Sequence, residues 1–137
     1  MIKGMAHTAI TVEDMEKSLH FYTQALGFEQ AFEIANPEDG SPWIVYLKVA
    51  PAQFVELFYG GTTPNPWDSS LIGFNHLCFE VDDIHASTQK IIDAGYTMDT
   101  MPKMGVDSNW QAWVKDPNGI RVELMKISPE SPHAKYM

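Results

Sequence analysis

Apolar and polar positions alternate in short runs along this chain, and the runs come in two similar series. Residues 6–12 place Ala6, Thr8, Ile10 and Val12 on one face and His7, Ala9 and Thr11 on the other, the period of a β-strand. Asp14 then offers a helix N-cap. Met15, Leu19, Tyr22 and Leu26 recur at helical spacing, and Gly27 stands at the position that ends a helix. Strands are predicted over 28–35, 43–49 and 53–59, with a loop at 36–42 and a turn at 50–52. A connector rich in Gly, Pro, Ser and Thr follows, and the order begins again. A strand at 74–81 leads into a helix capped by Asp83 and closed by Gly95. Next come a strand at 96–101, a loop at 102–109, and strands at 110–115 and 120–126 flanking Asp116-Pro117-Asn118-Gly119. The last stretch, 128–137, is expected to fray. The pattern predicts an α+β domain over 1–137 built from two tandem βαβββ modules. Module 1 covers about 5–60, a linker 61–73, module 2 about 74–127 and a tail 128–137. The strands are expected to form one cup-shaped mixed sheet with the helices outside.

Laid over each other, the two series align four polar residues. His7 and His76 stand near the start of the first strand of each module, and Glu56 and Glu123 stand in the last. Alternation turns each away from its aliphatic neighbours (Ile10 and Val12, Leu77 and Phe79, Val55 and Leu57, Val122 and Leu124), so all four are expected inside the cup. One strand histidine is more often hydrogen-bonded structure, and one strand glutamate is usually solvated. Four at equivalent places are better explained as ligands, because converging carboxylates and imidazoles need a cation to neutralise them. Two nitrogens and two oxygens suit Ni, Co, Zn, Fe or Mn rather than a thiolate-bound structural zinc. An octahedral ion so held keeps two positions for water or substrate oxygens.

Composition narrows the function class. The chain is 45% hydrophobic and 20% charged, a globular balance. Its net charge of −9 argues against nucleic acid and anionic membranes as partners and fits a small-molecule substrate. The N-terminal residues lack a signal peptide's apolar stretch and no run is long enough to span a bilayer, so the reading is cytoplasmic. The single cysteine, Cys78, sits in an apolar strand and reads as a buried, inert thiol.

The residues resemble the vicinal oxygen chelate superfamily and, within it, glyoxalase I (lactoylglutathione lyase). The likeness runs from Ala6 to Ile127. It is carried by His7-Thr8, Phe21-Tyr22, Leu26-Gly27-Phe28, Val55-Glu56-Leu57, Asn75-His76-Leu77, Asp116-Pro117-Asn118-Gly119 and Val122-Glu123-Leu124. The order His-Glu-His-Glu is similar to the glyoxalase branch, whereas the family's dioxygenases and fosfomycin-resistance enzymes typically use His-His-Glu. The resemblance implies a lyase or isomerase with one divalent metal ion, Ni, Co or Zn, with Mn or Fe as further members of the set. His7, Glu56, His76 and Glu123 would be the ligands. Glu123, with Glu56 sharing the role, would move a proton between adjacent carbons of a 2-hydroxy-carbonyl or hemithioacetal substrate through an enediolate. Sites of this superfamily are often completed across a homodimer, which is the expected assembly.

Two departures bear on the substrate. Thr11 stands where glyoxalase I usually has an arginine for a glutathione carboxylate, and Gly60 where it has an asparagine. The reaction type therefore carries over better than glutathione itself. The alternatives are a metal-dependent epimerase of a 2-oxo or acyl-thioester substrate, and a small-molecule binding protein of the bleomycin-resistance type. Thr11, Phe54, Phe58, Lys103 and Asn109 are the candidate substrate contacts. The remaining aromatics, Trp67 and Trp113 among them, read mainly as packing.

Overall fold

The computed structural model describes residues 1–137 and divides into two compact units, Met1–Pro64 and Asn65–Met137. In the first unit, β1 (His7–Thr11) leads into α1 (Met15–Leu19), then β2 (Glu29–Ala35), β3 (Pro42–Ala50) and β4 (Gln53–Phe58). In the second, β5 (Leu77–Glu80) is followed by α2 (Ile84–Asp93), β6 (Thr100–Met104), β7 (Trp110–Lys115) and β8 (Arg121–Lys126). The predicted βαβββ order appears in both. The single mixed sheet does not: the strands form two four-stranded sheets, ordered β1-β4-β3-β2 and β5-β8-β7-β6. In each, the first strand pairs in parallel with the last, and the other pairings are antiparallel.

The aliphatic face of each sheet makes the core. In the first unit Ile10, Val45, Leu47, Val55 and Leu57 are buried, along with Met15, Phe21, Tyr22 and Ala25 of the helical segment. In the second, Leu77, Ala112, Val114, Val122 and Leu124 are buried, with Ile84 and Ile91 from α2. Alternation then aims the intervening residues at the opposite face, where the polar candidates sit.

Several local expectations shift for physical reasons. Asp14 caps α1 as expected, accepting from the Lys17 N–H at 3.0 Å. Past Leu19, however, the helix widens into a π-helix over His20–Ala25, with Leu26 N–H donating to Phe21 C=O at 3.0 Å. Thr23 Oγ1 donates to the Leu19 carbonyl at 2.7 Å and occupies it. The wider turn brings Phe21 into the core beside Tyr22 and leaves Leu19 and Leu26 only partly covered.

The strand expected at 96–101 begins later. The Tyr96 N–H is tied back to Ile91 C=O at the end of α2, and β6 continues through Pro102. Proline is tolerated there because β6 is an edge strand with a register shift between Thr100 and Lys103. The expected fray of the tail is also corrected. Pro132–Tyr136 forms a 3-10 helix, and Asn109 holds the segment by accepting from Ser128 N–H at 2.9 Å and donating to His133 Nδ1 at 2.9 Å.

The turn before β8 is built as its residues dictate. Gly119 has φ of +82°, and the Asp116 carboxylate accepts from the N–H groups of Asn118 and Ile120, both at 2.8 Å. Asp116 is buried, so these bonds cannot be replaced by water without local opening. Asp116→Ala is expected to destabilise the protein by about 2 kcal/mol, the cost of orphaned backbone donors, read from urea unfolding. An unchanged midpoint would show that this turn does not lock the β7–β8 register.

Candidate active site

Each unit carries a histidine–glutamate pair on the sheet face opposite its core. In the first, Glu56 lies on β4 and aligns with Ala9 on one side and Tyr46 on the other. Glu56 is 4% exposed, and His7 Nδ1 lies 3.2 Å from its Oε1. The Tyr46 hydroxyl donates to the same carboxylate. That bond, with burial and the carboxylate's charge, raises the phenol above its ordinary range.

Around this pair the ring of Tyr46 stacks on Phe32, with centroids 4.3 Å apart, and meets Phe54 edge-on at 6.1 Å. The first module thus presents a carboxylate against an aromatic wall. Phe54 and Phe58 lie on Glu56's face as expected, and Thr11 is aligned with Phe58 at the exposed end of β1.

In the second unit Glu123, on β8, aligns with Cys78 of β5 and Trp113 of β7. It is 7% exposed, and its Oε2 lies 3.1 Å from His76 Nε2. His76 immediately precedes β5 rather than lying within it. Its ring packs edge-on against Trp113 at 4.8 Å, and Trp113 Nε1–H donates to Gln111 at 2.6 Å. Trp113 therefore takes the place in this module that Tyr46 has in the first: each ring lies directly across the hairpin from the glutamate.

Cys78 departs from expectation in one respect. The residue is exposed rather than buried, yet its thiol is pushed up to about 12 by desolvation first, and then by the charge and hydrogen bond of Glu123, with Asp107 and Glu80 adding to the effect. Desolvation first, and then the carboxylates among which it would form, disfavour the thiolate that reactivity needs.

Two other candidates sit differently from the pair residues. Asn109 is fully buried, and its side chain is engaged with Asp107, Ser128 and His133, which makes it a structural tie. Lys103 is exposed on the edge strand β6, paired in register with Gln111. Tyr46 was missed by sequence reasoning. The signal was present, because Tyr46 and Glu56 lie equally far from Pro51 in a hairpin, but it depends on the register rather than on residue type.

A model of the Glyoxalase/Bleomycin resistance protein/Dioxygenase superfamily matches residues 4–124. The chain belongs to this superfamily. A probable lactoylglutathione lyase from Synechocystis sp. is 31% identical over 127 residues, spanning 90% of this chain and 95% of that protein. An ethylmalonyl-CoA/methylmalonyl-CoA epimerase from Cereibacter sphaeroides is 29% identical over 136 residues, with 93% and 100% covered. The crystal structure of a glyoxalase family protein from Enterococcus faecalis is similar with a TM-score of 0.76 at 25% identity, covering 90% of this chain and 98% of that one. Among the superfamily's expected features, the two tandem modules and their α+β character are present here. No helix is long and apolar enough to cross a membrane.

The environment of Cys78 gives a direct pH test. Because desolvation and the neighbouring carboxylates push its thiol up to about 12, well above the ordinary 8.5 or so, its alkylation by iodoacetamide should rise with pH without levelling until the medium is strongly alkaline. Glu123→Gln removes the nearest negative charge and should shift that rise to lower pH. A plateau already near pH 9 in the unmodified protein would contradict the described surroundings of Cys78.

Proposed function

We propose that this chain is a metal-dependent, glyoxalase-like lyase or isomerase acting on a small 2-hydroxy-carbonyl or hemithioacetal substrate through an enediolate. The observation that carries the reading is the duplicated pair: a buried glutamate, partnered by a histidine, at the same topological place in both modules. A buried carboxylate is ordinarily neutralised by Lys or Arg or left to hydrogen bonds. Here each faces an imidazole nitrogen, a donor set that fits a borderline divalent cation. His7, Glu56, His76 and Glu123 are the ligand set of this reading. We take a homodimer as the assembly in which they meet.

The residues divide the work between them. A bound divalent ion would supply positive charge to stabilise the enediolate. His7, His76 and Glu56 would serve as its ligands, Glu56 being further tied by the Tyr46 hydroxyl. Glu123 has only the weak thiol of Cys78 beside it in addition to His76. It is the freer carboxylate and the assigned base: it takes the proton from the substrate's hydroxyl-bearing carbon and returns it to the neighbouring carbon. The hydroxyl's own proton passes to the former carbonyl oxygen as the hydroxyl-bearing carbon becomes the carbonyl, so the product is an isomer of the substrate. Phe32, Tyr46 and Phe54 offer an apolar wall to the substrate's remaining part.

A second reading has its own support. The epimerase relative points to the same proton abstraction beside a carbonyl, with the proton returned to the opposite face of the same carbon. Replacement of the glutathione anchors by Thr11 and Gly60 suits this reading and any non-glutathione thiol adduct equally.

The test is a turnover assay with the methylglyoxal–glutathione adduct, other hydroxy-carbonyl compounds and acyl-CoA epimers, after loading with Ni, Co or Zn. Glu123→Gln should reduce kcat by roughly a hundred- to ten-thousand-fold while leaving the unfolding midpoint almost unchanged. Full activity in Glu123→Gln would remove it from the base role. Saturable binding of an aromatic cationic drug, without metal and without turnover of any of these substrates, would replace the enzyme reading with a binding module.

A further inference from the structure

Arg121 is the chain's only arginine, set among 18 acidic residues, yet it joins no ion pair. Three lysines behave otherwise: Lys17, Lys48 and Lys115 each lie against a carboxylate. Arg121 is held by neutral groups instead. Its guanidinium carbon lies 3.9 Å from the Trp67 ring centroid and 4.7 Å from that of Trp113. Its Nη1–H donates to Asn75 Oδ1 at 3.1 Å. Attraction to the indole rings fixes the charge without supplying a hydrogen-bond acceptor. A guanidinium carries several further N–H donors, and these are left for a ligand or for water.

Strand alternation sets this cation beside the assigned base. Arg121 and Glu123 stand two residues apart on β8 and share its open face, with their Cα atoms about 7 Å apart. Trp113, aligned with Glu123 across the hairpin, touches the guanidinium and also packs against the His76 ring at 4.8 Å. The acceptor Asn75 immediately precedes His76. The cation is therefore contiguous with the second histidine–glutamate pair. The first module has no counterpart, because Phe54 stands two residues before Glu56 and Ala6 precedes His7. A half-buried cation without a counter-ion gains from any anion that docks against it in a charge-assisted hydrogen bond. The net charge of −9 repels anions from afar, but salt screens that field beyond about 10 Å, so the local contact decides.

We propose that Arg121, clamped by Trp67 and Trp113, is a substrate anchor that binds an anionic oxygen group, a carboxylate or a phosphate, carried a few bonds from the carbon that Glu123 deprotonates. The placing of that carbon rests on the enediolate reading of the site, whereas the anion site follows from the surroundings of Arg121 alone. The anchor narrows the substrate class to anionic hydroxy-carbonyl compounds. It also gives the connector a part in recognition, since Trp67 belongs to the segment between the modules and orders the guanidinium before the ligand arrives.

The test uses hydroxy-carbonyl compounds that differ in one anionic group: hydroxypyruvate against hydroxyacetone for a carboxylate, and dihydroxyacetone phosphate against dihydroxyacetone for a phosphate. Binding to the metal-free and the Ni-loaded protein is read by calorimetry and by tryptophan fluorescence, since Trp67 and Trp113 flank the anchor. At least one anionic compound is expected to bind about ten- to a hundredfold more tightly than its neutral partner, the usual strength of a hydrogen bond to a charged group. Arg121→Gln should erase that preference and leave the neutral compounds unaffected, and Arg121→Lys should keep part of it. Trp67→Leu, at an exposed ring, should weaken the preference with the unfolding midpoint nearly unchanged, which keeps the test decisive if Arg121→Gln does not fold. No preference for either anionic compound, or a preference that survives Arg121→Gln, would overturn the inference. Turnover confined to the neutral compounds would overturn it too and leave the enediolate reading standing. A preference carried by Arg121 in a protein that holds no metal would do the reverse, keeping the anchor and overturning the metal-dependent reading.

Discussion

The parallel pairing of the first and last strand in each module is the constraint on which the site depends. β1 beside β4 sets Ala9 next to Glu56 and brings His7 within 3.2 Å of it; β5 beside β8 sets Cys78 next to Glu123 and brings His76 within 3.1 Å. Strand alternation makes this pairing all-or-none. A slip of one residue in β4 or β8 would turn the glutamate toward Val45 or Val114 and send an aliphatic side chain to the open face. The buried valines and leucines thus enforce the register that aims the carboxylates, so core packing and site chemistry are two faces of the same strands.

Upon a shared topology the modules have diverged in what surrounds each pair. The first backs its glutamate with a phenol that donates a hydrogen bond and sits in a stack with Phe32. The second backs its glutamate with an indole and a thiol, and its histidine with an amide and a guanidinium. In physical terms one carboxylate is tethered by a strong neutral donor and the other is left with a weak one. That difference supports a division of labour between a fixed ligand and a mobile base. It is a difference the His-Glu-His-Glu order by itself does not contain.

Much of this was legible in the sequence. Alternation located the strands that carry Glu56 and Glu123, Asp14 and Asp83 announced the helix starts, and Asp116 to Gly119 announced the turn before β8. These features are local, and their physics is complete within a few residues. The rest depends on long-range contacts. Nothing in the 3.6-residue stripe of 15–26 reveals that the helix widens at His20 and buries Phe21. Pro102 reads as the end of a strand until β6 is known to be an edge. Asn109 looks like a loop residue free to touch substrate until the tail is seen folding back onto it. Tyr46, Trp67 and Arg121 acquire roles only through cross-strand register and the docking of the connector, and aromatic residues in a strand rich in them carry no mark of which face matters.

We propose that the two pairs together supply the ligands of one metal centre. The most direct test is the stoichiometry of Ni or Zn binding by equilibrium dialysis, compared among the unmodified protein, His7→Ala and His76→Ala. The account predicts one tightly held ion per chain, with affinity lost when either histidine is removed, because each module supplies only half of the ligands. A protein that holds no ion, or that keeps its full affinity after losing either histidine, would contradict it.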